Sequence, residues 1–186
     1  MQLGIDYYGV TQSDNDLWRA NGGHNSGRKM PILFAGVLLG HDGMKHVQAA
    51  FAEDEQTYYG EGYRGQKVLW TIDRDPNRRH EHLPPDKWTG PPFKGDNDGN
   101  KSEAYRKLNG PTWVGEALCA RLIGAKAYWN HDAFFDYVDR WVQEDVAAAT
   151  NRASAMGGAF VCAMWDTHRA KADEIGAKVL SQARGQ

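Results

Sequence analysis

A mainly α domain is what this chain of 186 residues encodes, and three observations carry that expectation. Apolar side chains recur at helical spacing through "PTWVGEALCARLIG" and "NHDAFFDYVDRWVQEDVAAA". "PILFAGVLLG" and the first of these both open on proline and close on Leu-(Leu/Ile)-Gly, the punctuation of helical hairpins. Aromatic and β-branched residues with glycines occur together in only one short stretch, "TYYGEGYRGQKVLWTI".

Taken in order, Leu3 to Val10 reads as a helix stopped by the turn formers of Thr11 to Asn15. A polar loop follows, "ANGGHNSGRKM". Pro31 belongs in the first turn of the next helix, and the loop stays non-helical up to it because a residue before proline avoids the α region. "PILFAGVLLG" is apolar on almost every side and therefore buried, with Gly40 as its stop. Asp42 is placed to cap a helix running from Gly43 to about Ala52. The "TYYGEGYRGQKVLWTI" stretch gives one or two short strands, and 73–101, rich in Pro, Gly and charge, a long irregular loop of the kind that is usually functional or mobile. This β-like and irregular insertion spans about 57–101. Helix returns at Ser102, with Pro111 at a fresh helix start and Gly124 at its end. The clearest amphipathic helix carries Phe134, Phe135, Val138, Trp141, Val142 and Val146 as its apolar stripe, capped by Asn130 or His131. One or two further helices follow Gly158. The whole, 1–186, reads as a single domain of stacked helical hairpins with functional loops between them, an incomplete α/α-toroid.

Composition narrows the function. A formal net charge of -2 gives no electrostatic reason to expect nucleic acid, and no apolar run is long enough to cross a membrane. "MQLGIDYYGV" has no basic region followed by a long apolar core, so no secretory signal is expected in it. Cys119 and Cys162 sit in apolar helical patterns and read as buried free thiols. Trp18, Trp88 and Trp129 lie among polar residues, where a flat ring serves either as a platform for a sugar or as ordinary loop packing.

Four constellations could carry chemistry. In the polar loop, Gly22 and Gly23 allow tight turning, His24 can exchange a proton near neutral pH, Asn21 and Asn25 offer amides, and Arg28 can grip a carboxylate. The helix N-terminus just beyond favours an anion. The same residues also make ordinary caps and turns. In "SEAYRKLNG", Arg106 beside Tyr105 would stabilise a phenolate and help it move a proton, although a helix-face tyrosine beside a solvated arginine is the commoner arrangement. In "RRHEHLPP", His80 and His82 flank Glu81, and a His-x-His on an extended segment points both rings one way. No further ligands stand at recognisable spacing, so a solvated basic loop is expected and no metal. In "DNDGNKSE", Asp96, Asp98, Asn100 and Ser102 alternate like a calcium loop, but Lys101 and Lys107 occupy the positions where glycine and glutamate are needed.

"NGGHNSGRKMPILFAGVLLG" followed by "AYRKLNGPTWVGEALCARLIGAKAYWNHDAFFDYVDRW" resembles the C-terminal half of α/α-toroid polysaccharide lyases of the alginate- and glucuronan-lyase type. The likeness covers about 3–52 and 102–142 and is weaker elsewhere. It implies an anionic polysaccharide as ligand, no cofactor, and β-elimination on uronic-acid polymers. Asn25 and Arg28 would neutralise the C5 carboxylate, with His24 as base or second neutraliser. Tyr105 would be the acid, with Arg106 lowering its pKa, and Tyr63 the reserve tyrosine. Asn21, Trp18 and Trp88 would complete the sugar contacts. Members of that family are often periplasmic or secreted. A full toroid needs about a dozen helices, roughly twice what this length supplies, so the exposed helix faces are expected to be covered by a second copy, as a homo-oligomer, or by another chain. Two other functions remain open. A glycoside hydrolase needs two carboxylates about 5 to 10 Å apart, with Asp132, Asp136, Glu116 and Glu103 available. A non-catalytic carbohydrate-binding or assembly module needs neither.

Overall fold

The computed structural model describes residues 1–89 and 98–184. Part of the irregular run over 73–101 therefore lies outside the described residues, as does Asp96 of the failed calcium pattern. The chain is mainly helical with one small sheet.

Helix α1 (Gln2–Ser13) lies against α2 (Lys29–Leu39). Their contact is close because Gly4 has no side chain: a Cβ there would sit 2.0 Å from the Pro31 carbonyl oxygen. Helix α2 buries Met30, Ile32, Leu33, Ala35 and Gly36, and Gly40 ends it in a left-handed conformation, φ 66°. The helix expected from Gly43 to Ala52 is instead a single turn, α3 (Asp42–Lys45). His41 rather than Asp42 caps it, its Nδ1 accepting the Met44 N–H at 3.1 Å. The chain then straightens, because Ala50 donates its N–H to Asn15 and Phe51 bridges Trp18, which holds this backbone out of a helix.

Helix α4 (Ala52–Gln56) leads into an antiparallel hairpin, β1 (Thr57–Tyr59) and β2 (Val68–Trp70), with Thr57 opposite Trp70 and Tyr59 opposite Val68. All three residues of β2 are buried. The centre of the molecule is α5 (Asp98–Leu122), which packs on α2, α7 (Asp132–Trp141), α9 (Ala159–His168) and α10 (Ala172–Arg184). Short helices α6 (Lys126–Trp129) and α8 (Arg152–Ala155) join these. Pro111 does not start a helix but lies inside α5. An internal proline costs about 3 kcal/mol. Burial of Trp113, Val114, Ala117 and Leu118 just beyond it, at up to ~3 kcal/mol for a large side chain, keeps the helix continuous.

The larger core gathers Trp70, Trp113, Trp129, Phe134 and Phe135, all inaccessible to solvent. Trp129 stacks on Phe134 at 4.7 Å, and Phe135 meets both rings edge-on. Trp18, Ile32, Ala35, Met44 and Phe51 form a second core under α1. Trp18 and Trp129 are thus packing residues. Cys119 and Cys162 are free but only part-buried, so the expectation of fully buried thiols is corrected. The stripe of α7 is as expected, with Val142 the one member left part-exposed. Beyond Trp141 the helix widens into a π turn over Val142–Val146.

Gly4→Ala should lower stability by more than ~2 kcal/mol in urea unfolding, since the added methyl meets backbone rather than a movable side chain. Gly9→Ala, in the same helix with open space around it, should raise stability by up to about 1 kcal/mol.

Candidate functional site

The polar loop is fastened from three sides. Gln56 donates from Nε2 to the carbonyls of Gly22 (2.6 Å) and Ile72 (2.9 Å). Asn109, on α5, donates from Nδ2 to the Gly22 carbonyl (3.0 Å) and to Gln56 Oε1 (3.2 Å). Gly22, at φ 59°, returns its own N–H to Ile72. The Tyr105 ring lies flat against this loop, so that a Cβ on Gly22 would be 2.9 Å from it. Ser26 accepts the indole N–H of buried Trp113 at 2.6 Å. The result is a cavity of about 630 Å³ whose lining includes Gly23, His24, Ser26, Tyr105, Asn109 and Glu116. Among the described residues neither the His24 ring nor the Tyr105 hydroxyl is engaged in a hydrogen bond, so both are free for a ligand.

The helix N-terminus behind the loop already holds an anion. Glu53 is completely buried, and its Oε1 accepts the N–H groups of Gly27 and of Arg28 (3.2 Å). This takes up the positive end of α2 that sequence analysis offered to a ligand. The Glu53 carboxyl adjoins that of Glu116 on α5. Burial, and then the Glu53 charge, push the Glu116 carboxyl well above the usual carboxylate range; burial raises Glu53 too, against the pull of its backbone donors.

Other residues singled out from sequence lie elsewhere. Asn25 donates from Nδ2 to the Arg19 carbonyl at 2.7 Å. Arg28 spreads its guanidinium over the Tyr7 ring at 5.4 Å and donates to the Ser26 carbonyl. Asn21 is exposed, its carbonyl accepting the His24 N–H. None of the three lines the His24–Tyr105 cavity, and Trp18 sits in the second core between Tyr7 and Phe51. Arg106, Tyr63 and Trp88 line a different cleft, of about 700 Å³. Tyr105 and Arg106 separate because consecutive helical residues point about 100° apart, which corrects the expectation that Arg106 tunes the Tyr105 hydroxyl. No family model matches the chain, and no curated protein and no solved structure does.

In that second cleft Arg106 is saturated. It holds Asp145 through Nη1 and Nη2 (2.9 and 2.7 Å), Glu103 through Nε and Nη2 (both 2.7 Å), and touches the Tyr137 hydroxyl at 3.3 Å. The π turn delivers Asp145 to it. Arg140 similarly clamps Glu81 (2.8 and 2.9 Å), whose Oε2 also accepts the Trp70 N–H. Burial acts to raise Glu103, but hydrogen bonding and charge from Arg106 outweigh it and hold the carboxyl at about 2. The expected solvated basic loop is also corrected. His80 and Glu81 are buried, His80 meeting Trp88 edge-on at 4.8 Å, while His82 is exposed. The two rings do not share a face, because the segment turns, Leu83 donating its N–H to His80. Trp88 spends its indole N–H on Leu83. Among the described residues no group of three or more His, Cys, Asp or Glu is placed to hold a metal ion.

Sequence reasoning missed Glu53, Gln56 and the Glu81–Arg140 clamp. Nothing local in "AEDEQT" marks Glu53 or Gln56, and only their position beneath the loop makes them structural.

Two outcomes follow from Glu103 and Arg106. Glu103 has its folded-state pKa below the ordinary 4.5, so its contribution is present above that pH and disappears as pH falls towards about 2. Acid titration of stability should show a loss on the order of 3 kcal/mol across that window from this group. Arg106→Met, which strands Glu103 and Asp145 together, should cost roughly 3–5 kcal/mol in urea unfolding at pH 7.

Proposed function

We propose that this chain is a polysaccharide-lyase-like domain that takes uronic-acid polysaccharide into the His24–Tyr105 cavity and cleaves it by β-elimination, on part of an α/α-toroid. The single observation behind this reading is that an imidazole and a phenol, from segments far apart in sequence, line one cavity with their polar atoms uncommitted. His24 is the group to withdraw the C5 proton. Tyr105 is the group to protonate the departing oxygen, as general acid. Ser26 and Asn109 stand beside them as positioning groups. Asn25 and Arg28, hydrogen-bonded or stacked elsewhere, drop out of the carboxylate-gripping role.

The hydrolase alternative fits less well. Glu53 and Glu116 are within hydrogen-bond reach of each other, closer than the pairs that flank a glycosidic bond. Asp145, Glu103 and Glu81 in the second cleft are spent on arginines, so none of them is poised as a proton donor. One observation favours the non-catalytic binding module: no lysine or arginine is among the residues lining the cavity, so no fixed cation there offsets a substrate carboxylate.

Incubation with alginate, glucuronan and related uronans separates these readings. The lyase should generate the absorbance of an unsaturated uronate, and both Tyr105→Phe and His24→Ala should slow it by at least about 100-fold. Saturable binding without product makes the chain a binding module. A folded sample that neither cleaves nor binds any uronan ends both.

A further inference from the structure

The Glu53–Glu116 pair poses a question of hydrogen-bond accounting. Glu53 Oε2 and Glu116 Oε1 are both shut off from solvent and lack a donor. Unpaired buried acceptors are costly, and two ionised carboxyls in hydrogen-bond contact more so. One proton between them removes both problems, turning two orphans into donor and acceptor. Glu53 receives two backbone N–H groups, from Gly27 and Arg28, and is fully buried. These two backbone donors stabilise the anion on Glu53, so the charge belongs there and the proton on Glu116.

We infer that Glu116 is a neutral acid at physiological pH, donating its O–H inward to the Glu53 carboxylate, and that this proton sets whether the cavity accepts an anionic sugar. Only the Glu116 end of the pair lines the cavity. With the proton in place, the wall beside His24 and Tyr105 is uncharged and the negative charge lies behind it, against the start of α2. Without it, a carboxylate faces the ligand and no lysine or arginine in the lining offsets it. The ligand half of this inference rests on the uronate reading above.

The surroundings do not supply another route to neutrality. Asp54, next to Glu53, adds negative charge and is itself paired with Lys29. The Arg28 guanidinium is held over the Tyr7 ring and donates to the Ser26 carbonyl. From α5 the facing groups are Tyr105 and Cys119, and from the loop His24. Burial and the adjoining negative charge raise Glu116, in agreement with the hydrogen-bond count.

The test uses the full chain with carbon-13 in its glutamate carboxyls. Infrared spectra without ligand should show a protonated-carboxyl band at pH 7 that fades only at higher pH. The band should vanish in Glu116→Gln, whose amide keeps donating to Glu53. It should vanish also in Glu53→Gln, whose amide donates to Glu116 and lets it ionise. Binding of an oligoglucuronate should weaken about tenfold per pH unit once the wild-type band fades. Glu116→Gln should abolish that alkaline fall, and Glu53→Gln should weaken binding already at pH 7. A merely structural pair would shift stability in both variants without these opposite effects on binding. Absence of the band from the wild type at pH 7, its survival in Glu116→Gln, or an unaltered alkaline fall in that variant overturns the inference. If the wild type binds no uronan at any pH, the uronate reading fails, while the wild-type band still decides where the proton is.

Discussion

The contact on which the candidate site turns is a buried carboxylate against a helix start. Glu53 accepts the N–H groups of Gly27 and Arg28 and so ends the polar loop where α2 begins. A helix N-terminus carries about half a positive charge, and here the chain answers it from within. The loop's position follows, because Glu53 belongs to the same short helix as Gln56, which pins Gly22. His24 is consequently held beside Tyr105 in part by Glu53 and Gln56, neither of which lines the cavity.

Helix α5 distributes chemistry between two places. Tyr105, Asn109 and Glu116 face one cavity, whereas Glu103, Arg106 and Lys107 face the other cleft. The two differ in kind. The larger one is a lattice of ion pairs in which Arg106 and Arg140 hold Asp145, Glu103 and Glu81, fastening α5, α7 and the segment after β2 together. The smaller one has uncommitted polar groups and a wall whose charge depends on one proton. The proposed chemistry rests on the unspent groups, and the spent ones give rigidity.

Much of the helical plan was legible in the residues themselves. Gly40 marked the end of α2, and the stripe of α7 matched its buried face, but Lys29 and Met30 are already helical, so the loop expected to stay non-helical up to Pro31 is corrected. One or two short strands were visible in the β-branched and aromatic residues, but not their pairing as a hairpin. Three local readings gave way to tertiary contacts. Pro111 was overruled by the buried helix face beyond it, the helix after Gly43 by the Trp18–Phe51 bridge, and the solvated reading of His80 by Trp88 and Trp70.

Periodicity, caps and turn residues act over a few positions, so the sequence by itself determined the helical character, the glycine stop of α2, the stripe of α7 and the candidacy of His24 and Tyr105. Which polar groups are spent on the fold was decided only by the tertiary structure. Asn25 and Arg28 look as available as His24 when read along the chain, yet the first is bonded to the Arg19 carbonyl and the second is stacked on Tyr7. Glu53 and Glu116 acquire a shared proton only because folding brings two distant carboxyls together out of water, and the cost of a buried charge depends on its neighbours in space.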